Sequence, residues 1–245
     1  MEQYISLDQS SLSLWTKREG GGIPILLCSG GPGCCDYLEP VADMLSDLAQ
    51  VIRFDQRGCG RSNYTDACQL QTCLTDIEEI RKYYQIEKWI IVGHSWGADL
   101  ALAYTLYYPE SVYGLVYMSG TGVQNDRDWK ATYQKGIAEN KEQMVMLDYP
   151  VNKEVHRSLI DSWRAFIKEP ELLRRISEIK APSYFLYGDE DIRPSWPIQQ
   201  IAHLIKDAQL HCIKGAGHYI WLQKPDSLQE LLKGFVKQIA LQQNF

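Results

Sequence analysis

The stretch with the clearest chemical meaning is Gly93-His94-Ser95-Trp96-Gly97, which joins the apolar run WIIV to the helix-like ADLALAY. A serine on a sharp turn between a strand and a helix presents its hydroxyl at the edge of a sheet, as nucleophilic acyl transfer requires. Small residues must flank such a serine, and Gly93, Gly97 and Ala98 meet this demand. The pattern predicts Ser95 as a nucleophile. The alternative is a tight packing turn with an inert serine.

A serine hydroxyl is a poor nucleophile unless a base removes its proton. His218 lies in the loop GAGHYIWLQKP, after a strand-like run and before the last helix, and so at the sheet edge where Ser95 is expected. His94 adjoins Ser95, but neighbours on a tight turn diverge, so its ring is expected to pack beside the sheet. The other histidines lie in a helical insertion, a helix and a strand-like run: His156, His203 and His211. We therefore predict His218 as the general base.

The base needs a carboxylate that orients its ring and stabilises the imidazolium. The segment SYFLYGDEDIRP ends a strand-like run with three acids. Asp191 is favoured because it is far enough past the strand to turn inward over the sheet edge. Asp189 is the alternative, and Glu190 is expected to face solvent.

An oxyanion needs hydrogen-bond donors that are already aimed at it. The amide of Trp96, directly after the nucleophile, is one predicted donor. The other is the amide of Gly31 in SGGPG, residues 29–33, where a side chain would crowd the acyl group. Phosphate binding by this loop is disfavoured because it lacks both GxGxxG and a Lys-Ser/Thr ending.

The elements that position these residues follow an alternating pattern. Compact apolar runs predict strands: LSLWTK, PILLCSG, VIRFDQ, WIIVGH, VYGLVYMSG, SYFLYGD and LHCIKG. Helical spacing occurs between them, in LEPVADMLSDLA, TCLTDIEEIRKYYQI, ADLALAYTLYY, PIQQIAHLI and SLQELLKGFVKQIAL. This alternation predicts an α/β protein with a mostly parallel sheet flanked by helices.

The region 123–179 breaks the alternation. It carries helix-like pieces, DRDWKATYQKGIAENKEQMVML and VHRSLIDSWRAFIKEPELLRRISEI, and no strand-like run. We predict a small helical cap at 123–179, inserted between two strands of a core formed by 1–122 and 180–245. Trp129, Tyr133 and Trp163 in the cap are predicted to bind substrate, although aromatic residues at helical spacing more often pack in the core.

Composition narrows the classes of partner. The chain has 245 residues, a formal charge of −6 and no basic patch, which disfavours a nucleic-acid partner. No apolar run is long enough for a membrane span or signal peptide, so a cytoplasmic protein without membrane contact is expected.

The 7 cysteines include no CxxC pair and are expected to be reduced thiols. No metal or organic cofactor is predicted, and the oligomeric state is not predicted.

Five motifs together resemble a known family: SGGPG, DQRGCGRS (55–62), GHSWG (93–97), GDEDIRP (188–194) and GAGHYIWLQKP (215–225). They are similar to motifs of the α/β-hydrolase superfamily, and within it to the proline iminopeptidase group. The resemblance implies an α/β-hydrolase fold with Ser95, Asp191 and His218 as the triad and Gly31 and Trp96 as oxyanion donors. The sharp turn between strand and helix that carries Ser95 is called the elbow below. Haloalkane dehalogenases and epoxide hydrolases, which resemble this fold, carry aspartate instead of serine at this turn.

The chain departs from the proline iminopeptidase pattern in two places. The family reads HGGPG, whereas this chain has Ser29 at the histidine position. The family also has a larger cap, whose glutamates hold the free amino group of the substrate. The acids of this cap cannot be matched to those positions: Glu139, Glu142, Asp148, Glu154, Asp161 and Glu169.

The resulting prediction is a serine hydrolase that cleaves an amide or ester through an acyl-enzyme, with an aminopeptidase acting on a small molecule or short peptide favoured. A carboxylesterase or other small-acyl hydrolase is the alternative within that class. A non-catalytic ligand-binding protein of the same fold is the alternative from another class.

Overall fold

The computed structural model describes residues 1–7, 11–65, 68–124, 127–139, 142–243 and 245. An eight-stranded sheet crosses the molecule in the order β1-β2-β4-β3-β5-β6-β7-β8. Strands β1 and β2 pair antiparallel to their neighbours, and β4 through β8 run parallel with β3. The strands are β1 (Glu2–Ser6), β2 (Ser13–Glu19), β3 (Ile23–Cys28), β4 (Ala49–Phe54), β5 (Trp89–His94), β6 (Val112–Met118), β7 (Ser183–Gly188) and β8 (Gln209–Ile213).

Helices cover both faces of the sheet. Apolar residues of α1 and α9 pack with one face, and those of α2, α3, α5 and α7 pack with the other. The helices are α1 (Glu39–Leu45), α2 (Leu70–Tyr83), α3 (Trp96–Tyr107), α4 (Arg127–Ala138), α5 (Lys153–Phe166), α6 (Leu172–Ser177), α7 (Trp196–Leu204), α8 (Ile220–Gln223) and α9 (Pro225–Gln243). Within the described ranges, none of these helices is long and apolar enough to cross a membrane.

The strand order reverses at β3, because α1 leads from β3 outward to β4 whereas α2 leads back to β5 on the other side. The loops that follow β3 and β5 therefore leave the sheet in opposite directions. A crevice opens at such a point, and ligands of open α/β sheets bind there. The two loops are the ones that contain SGGPG and GHSWG.

The predicted α/β architecture is confirmed, and strands are found at each of the predicted runs, β2 through β8. Strand β1 was not predicted, since its five residues gain their pairing from β2 rather than from an apolar pattern of their own. The short helix α8 also lies in a segment that was expected to be a loop.

Three helices lie between β6 and β7, and no described residue there is in a strand. The helix expected to run through Leu147 ends at Ala138, so the prediction for residues 142–147 was wrong. Side chains of this segment contact the core loops instead: Glu142 pairs with Arg193, and Gln143 accepts a hydrogen bond from Gln223 at 3.0 Å. These tertiary contacts outweigh the local helical preference.

Candidate active site

Ser95 lies at the turn between β5 and α3, with backbone angles φ 55° and ψ −126°. Non-glycine residues rarely adopt a positive φ, and such strain is maintained only where the surroundings fix the backbone. Here the amide of Ser95 donates to the carbonyl oxygen of Met118 on β6 at 2.9 Å. A methyl group on Gly97 would clash with the carbonyl of Cys28 at the end of β3. The predicted small residue is therefore required by close backbone packing.

His218 lies in the loop after β8 and is 3% exposed. Its Nδ1 lies 2.7 Å from Oδ2 of Asp191, in the loop after β7. The other two acids of that loop are exposed. Asp189 accepts a hydrogen bond from the amide of Gly215, and the backbone amide of Glu190 donates to Ala216. Of the three acids considered, the structure brings Asp191 to the histidine.

A partly buried cation lies behind this pair. The Arg193 guanidinium contacts Oδ1 of Asp191 at 3.2 Å and forms an ion pair with Glu142. The backbone amide of Arg193 also donates to Asp191 at 2.9 Å. Burial alone would raise the pKa of Asp191, but His218 and Arg193 together lower it to about 2. The carboxylate is thus charged at neutral pH, as a group that stabilises an imidazolium must be. The sequence offered no signal for the part played by Arg193.

The loop after β3 presses against the elbow. A methyl group on Gly30 would lie 2.6 Å from Cβ of Ser95, so only a glycine permits this approach. The amide of Gly30 donates to the Tyr37 hydroxyl at 2.8 Å. The next residue, Gly31, has φ 65°, and its amide meets no acceptor within the described part of the chain. The amide of Trp96 is in the first turn of α3, where helix N–H groups have no partner inside the helix.

Ser29 stands where the resembling family has histidine, and the structure shows what supports the loop instead. The Ser29 hydroxyl donates to Asp36 at 2.8 Å and accepts from the amide of Tyr37 at 3.3 Å. Asp36 is itself buried and paired with Arg53. A short side chain with both a donor and an acceptor thus ties the start of the loop to its end.

The segment DQRGCGRS fixes the same loop from the side of β4. The Asp55 carboxylate is fully buried and accepts from the amide of Asp36 at 2.6 Å. It also accepts from the amide and the Nε of Arg61, both at 2.7 Å. A methyl group on Gly60 would collide with this carboxylate, which accounts for the second glycine of the motif.

The cap contacts the loop after β3 through α5. The N-cap side chain of Asn152 accepts from the amides of Glu154 and Val155, and its Nδ2 donates to the Gly58 carbonyl at 2.8 Å. The backbone amide of Asn152 donates to the carbonyl of Gly33, also at 2.8 Å. One residue therefore caps α5 and joins it to two loops.

The cap acids differ sharply in their positions. Glu142 is the one that reaches the His218 loop, since ligand atoms of Glu142, Asp191 and His218 lie within 4.8 Å of one another. The acids on α5 and after it form ion pairs on or near the surface: Glu154 with Arg157, Asp161 with Arg164 and Glu169 with Arg175. The cluster around Glu142 has the residue types of a cation site, but the Arg193 guanidinium already supplies its positive charge.

The three cap aromatics have different surroundings. Trp163 is 5% exposed and packs edge-on against Trp96, with ring centroids 5.6 Å apart. It therefore lies in the core between α5 and the elbow helix. Tyr133 lies beneath the Arg193 guanidinium at 4.8 Å, and Trp129 contacts Tyr133 at a centroid distance of 5.4 Å. Tyr133 is thus the cap aromatic that borders the buried charges.

His94 is fully buried, as expected, and each of its ring nitrogens has a hydrogen-bond partner. Its Nδ1 lies 2.8 Å from the Tyr37 hydroxyl, and its Nε2 lies 2.9 Å from the backbone oxygen of His218. No sequence pattern predicts these contacts, because they join segments more than fifty residues apart.

Comparison with known proteins gives relatives over part of the chain. A family model for the alpha/beta hydrolase fold matches residues 23–144. A proline iminopeptidase of Neisseria gonorrhoeae is 39% identical over 117 residues, which make up 46% of this chain and 38% of that protein. A proline iminopeptidase of Arabidopsis thaliana is 35% identical over 131 residues, or 51% of this chain and 34% of the relative. The chain thus spans well under half the length of these curated relatives.

Solved structures match along nearly the whole chain. The crystal structure of a proline iminopeptidase from Mycobacterium smegmatis has a TM-score of 0.74 at 16% identity, covering 98% of this chain and 99% of that one. An esterase from Exiguobacterium antarcticum has a TM-score of 0.80 at 19% identity, covering 97% and 100%. Identities this low establish the fold and not the reaction. With the family-model match and the eight-stranded sheet, they show that the chain has the α/β-hydrolase fold.

Proposed function

We propose that this chain is a serine hydrolase in which Ser95 forms an acyl-enzyme with an amide or ester substrate. One observation carries the proposal. A serine on a strained turn, a largely buried histidine–carboxylate pair and two amides that meet no acceptor among the described residues all lie at the carboxyl edge of the same parallel sheet. This combination is what acyl transfer requires.

In the proposed mechanism, His218 removes the hydroxyl proton of Ser95 as Ser95 attacks the carbonyl carbon. Asp191 accepts a hydrogen bond from Nδ1 of His218, which leaves Nε2 as the base and stabilises the imidazolium. The amides of Gly31 and Trp96 donate to the oxyanion, and removal of one such donor costs about 3 kcal/mol. His218 then protonates the leaving group, and in the second half-reaction it activates the water that releases the acyl group.

A fluorophosphonate probe tests the nucleophile directly, because it modifies only a serine that is activated by a base. The native chain is expected to be labelled at Ser95, and Ser95→Ala is expected to show no labelling. Equal labelling of the two proteins would refute the proposal. Absence of labelling in a folded native chain would favour the non-catalytic ligand-binding alternative.

Within this class, we propose an aminopeptidase that removes an N-terminal residue such as proline. The support comes from relatives named proline iminopeptidase, which match at 35–39% identity. A second support is Glu142, a cap carboxylate held close to His218 and Asp191, where it can attract a cationic amino group.

A carboxylesterase is the second candidate, and one observation favours it. The charge of Glu142 is already balanced by Arg193, whose side chain is partly buried beside it. A substrate amine would have to compete with this guanidinium for the carboxylate. A neutral acyl group would not.

A set of three substrates separates the two candidates: a prolyl arylamide, its N-acylated form and a short-chain aryl ester. A peptidase is expected to cleave the free-amine arylamide and to lose this activity when the amine is acylated. Glu142→Gln should then raise KM for the arylamide more than for the ester. Turnover of the ester alone would refute the peptidase and leave the esterase.

A further inference from the structure

A chain of hydrogen bonds joins three loops at the carboxyl edge of the sheet. The Gly30 amide, in the loop after β3, donates to the Tyr37 hydroxyl at 2.8 Å. The same hydroxyl lies 2.8 Å from Nδ1 of His94 on β5. Nε2 of His94 lies 2.9 Å from the backbone oxygen of His218, in the loop after β8.

The hydrogens of this chain can be arranged in only one way. The His218 carbonyl can only accept, so Nε2 of His94 donates to it. Burial and the neighbouring His218 lower the pKa of His94 well below its usual value, so the ring is neutral and carries a single N–H. Nδ1 must then accept from Tyr37, and the Tyr37 hydroxyl must accept from Gly30.

Packing fixes the same groups in place. The Tyr37 ring stacks on Trp221 at a centroid distance of 6.2 Å, and the His94 ring lies edge-on to Trp221 at 4.8 Å. The backbone of Gly30 approaches the elbow so closely that a methyl group there would lie 2.6 Å from the His94 carbonyl oxygen. The position of the loop after β3 is thus set relative to the elbow by both contact and hydrogen bonding.

We infer that His94 and Tyr37 are positioning residues for the reaction proposed above, on which this inference rests. The Tyr37 hydroxyl accepts the hydrogen bond of the Gly30 amide. This bond holds the loop so that the next amide, that of Gly31, is directed at the oxyanion. His94 holds the carbonyl of His218, and with it the base, at a fixed distance from Ser95. Neither side chain touches substrate. They keep the oxyanion donor and the base at the positions relative to the Ser95 hydroxyl that the reaction requires.

The neutrality of His94 matters for the same reason. Its ring centroid is 4.7 Å from that of His218, which becomes a cation in each proton transfer. A charged group at this place would oppose that cation. A neutral imidazole can hold the backbone of His218 without this electrostatic cost.

The test measures the rate of fluorophosphonate labelling of Ser95 alongside the free energy of unfolding in urea. Tyr37→Phe removes one hydroxyl and keeps the ring, and His94→Phe removes both hydrogen bonds of the imidazole. Labelling is expected to fall about tenfold in the first and about 10- to 100-fold in the second, because small displacements of reacting groups have effects of this size. His94→Gln, which keeps an amide donor for the His218 carbonyl, is expected to recover part of the loss.

The matched control is Tyr104→Phe. Tyr104 is buried on α3 and donates its hydroxyl to Glu78, away from the sheet edge, so this change removes a buried hydrogen bond without touching the three loops. It is expected to lower stability while labelling continues at the native rate. The double variant Tyr37→Phe/His94→Phe should lose less than the product of the two single losses, because the hydrogen bond between Tyr37 and His94 is broken in both single variants.

Native-rate labelling of Tyr37→Phe would overturn the inference. So would an equal loss of labelling in Tyr104→Phe, since the effect would then follow stability, and so would additive losses in the double variant. If the native chain and Ser95→Ala label alike, the proposed function itself fails, which is a different result from any of these.

Discussion

Replacement of Asp191 by asparagine is the change whose effect the structure defines most closely. The Asp191 carboxylate is 2.7 Å from Nδ1 of His218 and is 7% exposed. An asparagine presents an N–H in place of one oxygen and disfavours the Nδ1–H tautomer of His218. Because Nε2 would then no longer be free to act as a base, we expect the turnover rate to fall roughly a thousandfold or more.

The same change affects stability by an amount that follows from the pKa of Asp191. Burial alone would raise this pKa, but His218 and Arg193 lower it from 3.8 to about 2. A difference of about two units corresponds to roughly 2–3 kcal/mol of unfolding free energy. Because the folded-state pKa lies below the unfolded-state value, this contribution is complete above about pH 4. It disappears as the pH falls towards 2.

The assay compares Asp191→Asn with Asp189→Asn, which makes the same chemical change two residues earlier at an exposed position. Urea unfolding at pH 7 should show a loss of roughly 2–3 kcal/mol for Asp191→Asn and little change for Asp189→Asn. The stability of Asp191→Asn should also depend less on pH below 4 than that of the native chain. Equal losses of activity in the two variants would refute the assignment of Asp191.

Two further predictions concern stability. Asn152→Ala removes the N-cap of α5 and leaves the buried Gly58 carbonyl without its donor. Urea unfolding should therefore show a decrease of about 2–3 kcal/mol in the free energy of unfolding. A decrease below about 0.5 kcal/mol would contradict this reasoning. Burial raises the pKa of Asp99 to about 7 despite hydrogen bonds from Thr121 and its neighbours. The contribution of Asp99 to stability should therefore fall as the pH rises from about 4 to 7, so the native chain should lose stability relative to Asp99→Asn over this range. Asp99→Asn should remove this dependence, and an unchanged pH profile in the variant would contradict the reasoning.

The sequence was sufficient for features encoded in short segments. Compact apolar runs, most of which stop at glycine, predicted β2 through β8, and the small residues around Ser95 predicted a sharp turn. The assignment of the base and its acid used loop position alone, and the structure brings His218 and Asp191 together. The triad, the oxyanion donors and the division into core and cap stay predictions.

Features that depend on contacts between distant segments could not be predicted. Glu142 was one of the six cap acids named above, which no sequence signal distinguishes, and only the fold brings it to Arg193. Ser29 departs from the family pattern, and its sequence position does not reveal that its hydroxyl bonds Asp36 seven residues later and so supports the loop. The segment after α4 has a helical pattern, but its side chains contact loops of the core, and those contacts decide its conformation.

The contact between α5 and the loop after β3 limits how this enzyme can be redesigned. His156 bonds the Pro32 carbonyl at 2.9 Å through Nδ1, and the amide of Asn152 bonds the Gly33 carbonyl, so backbone atoms of the loop after β3 are held by residues at the start of α5. A chimera that receives a larger cap from a relative would need to keep both residues at the start of α5. New substrate pockets are better introduced in α4 and the segment that follows it, which leaves this junction unchanged.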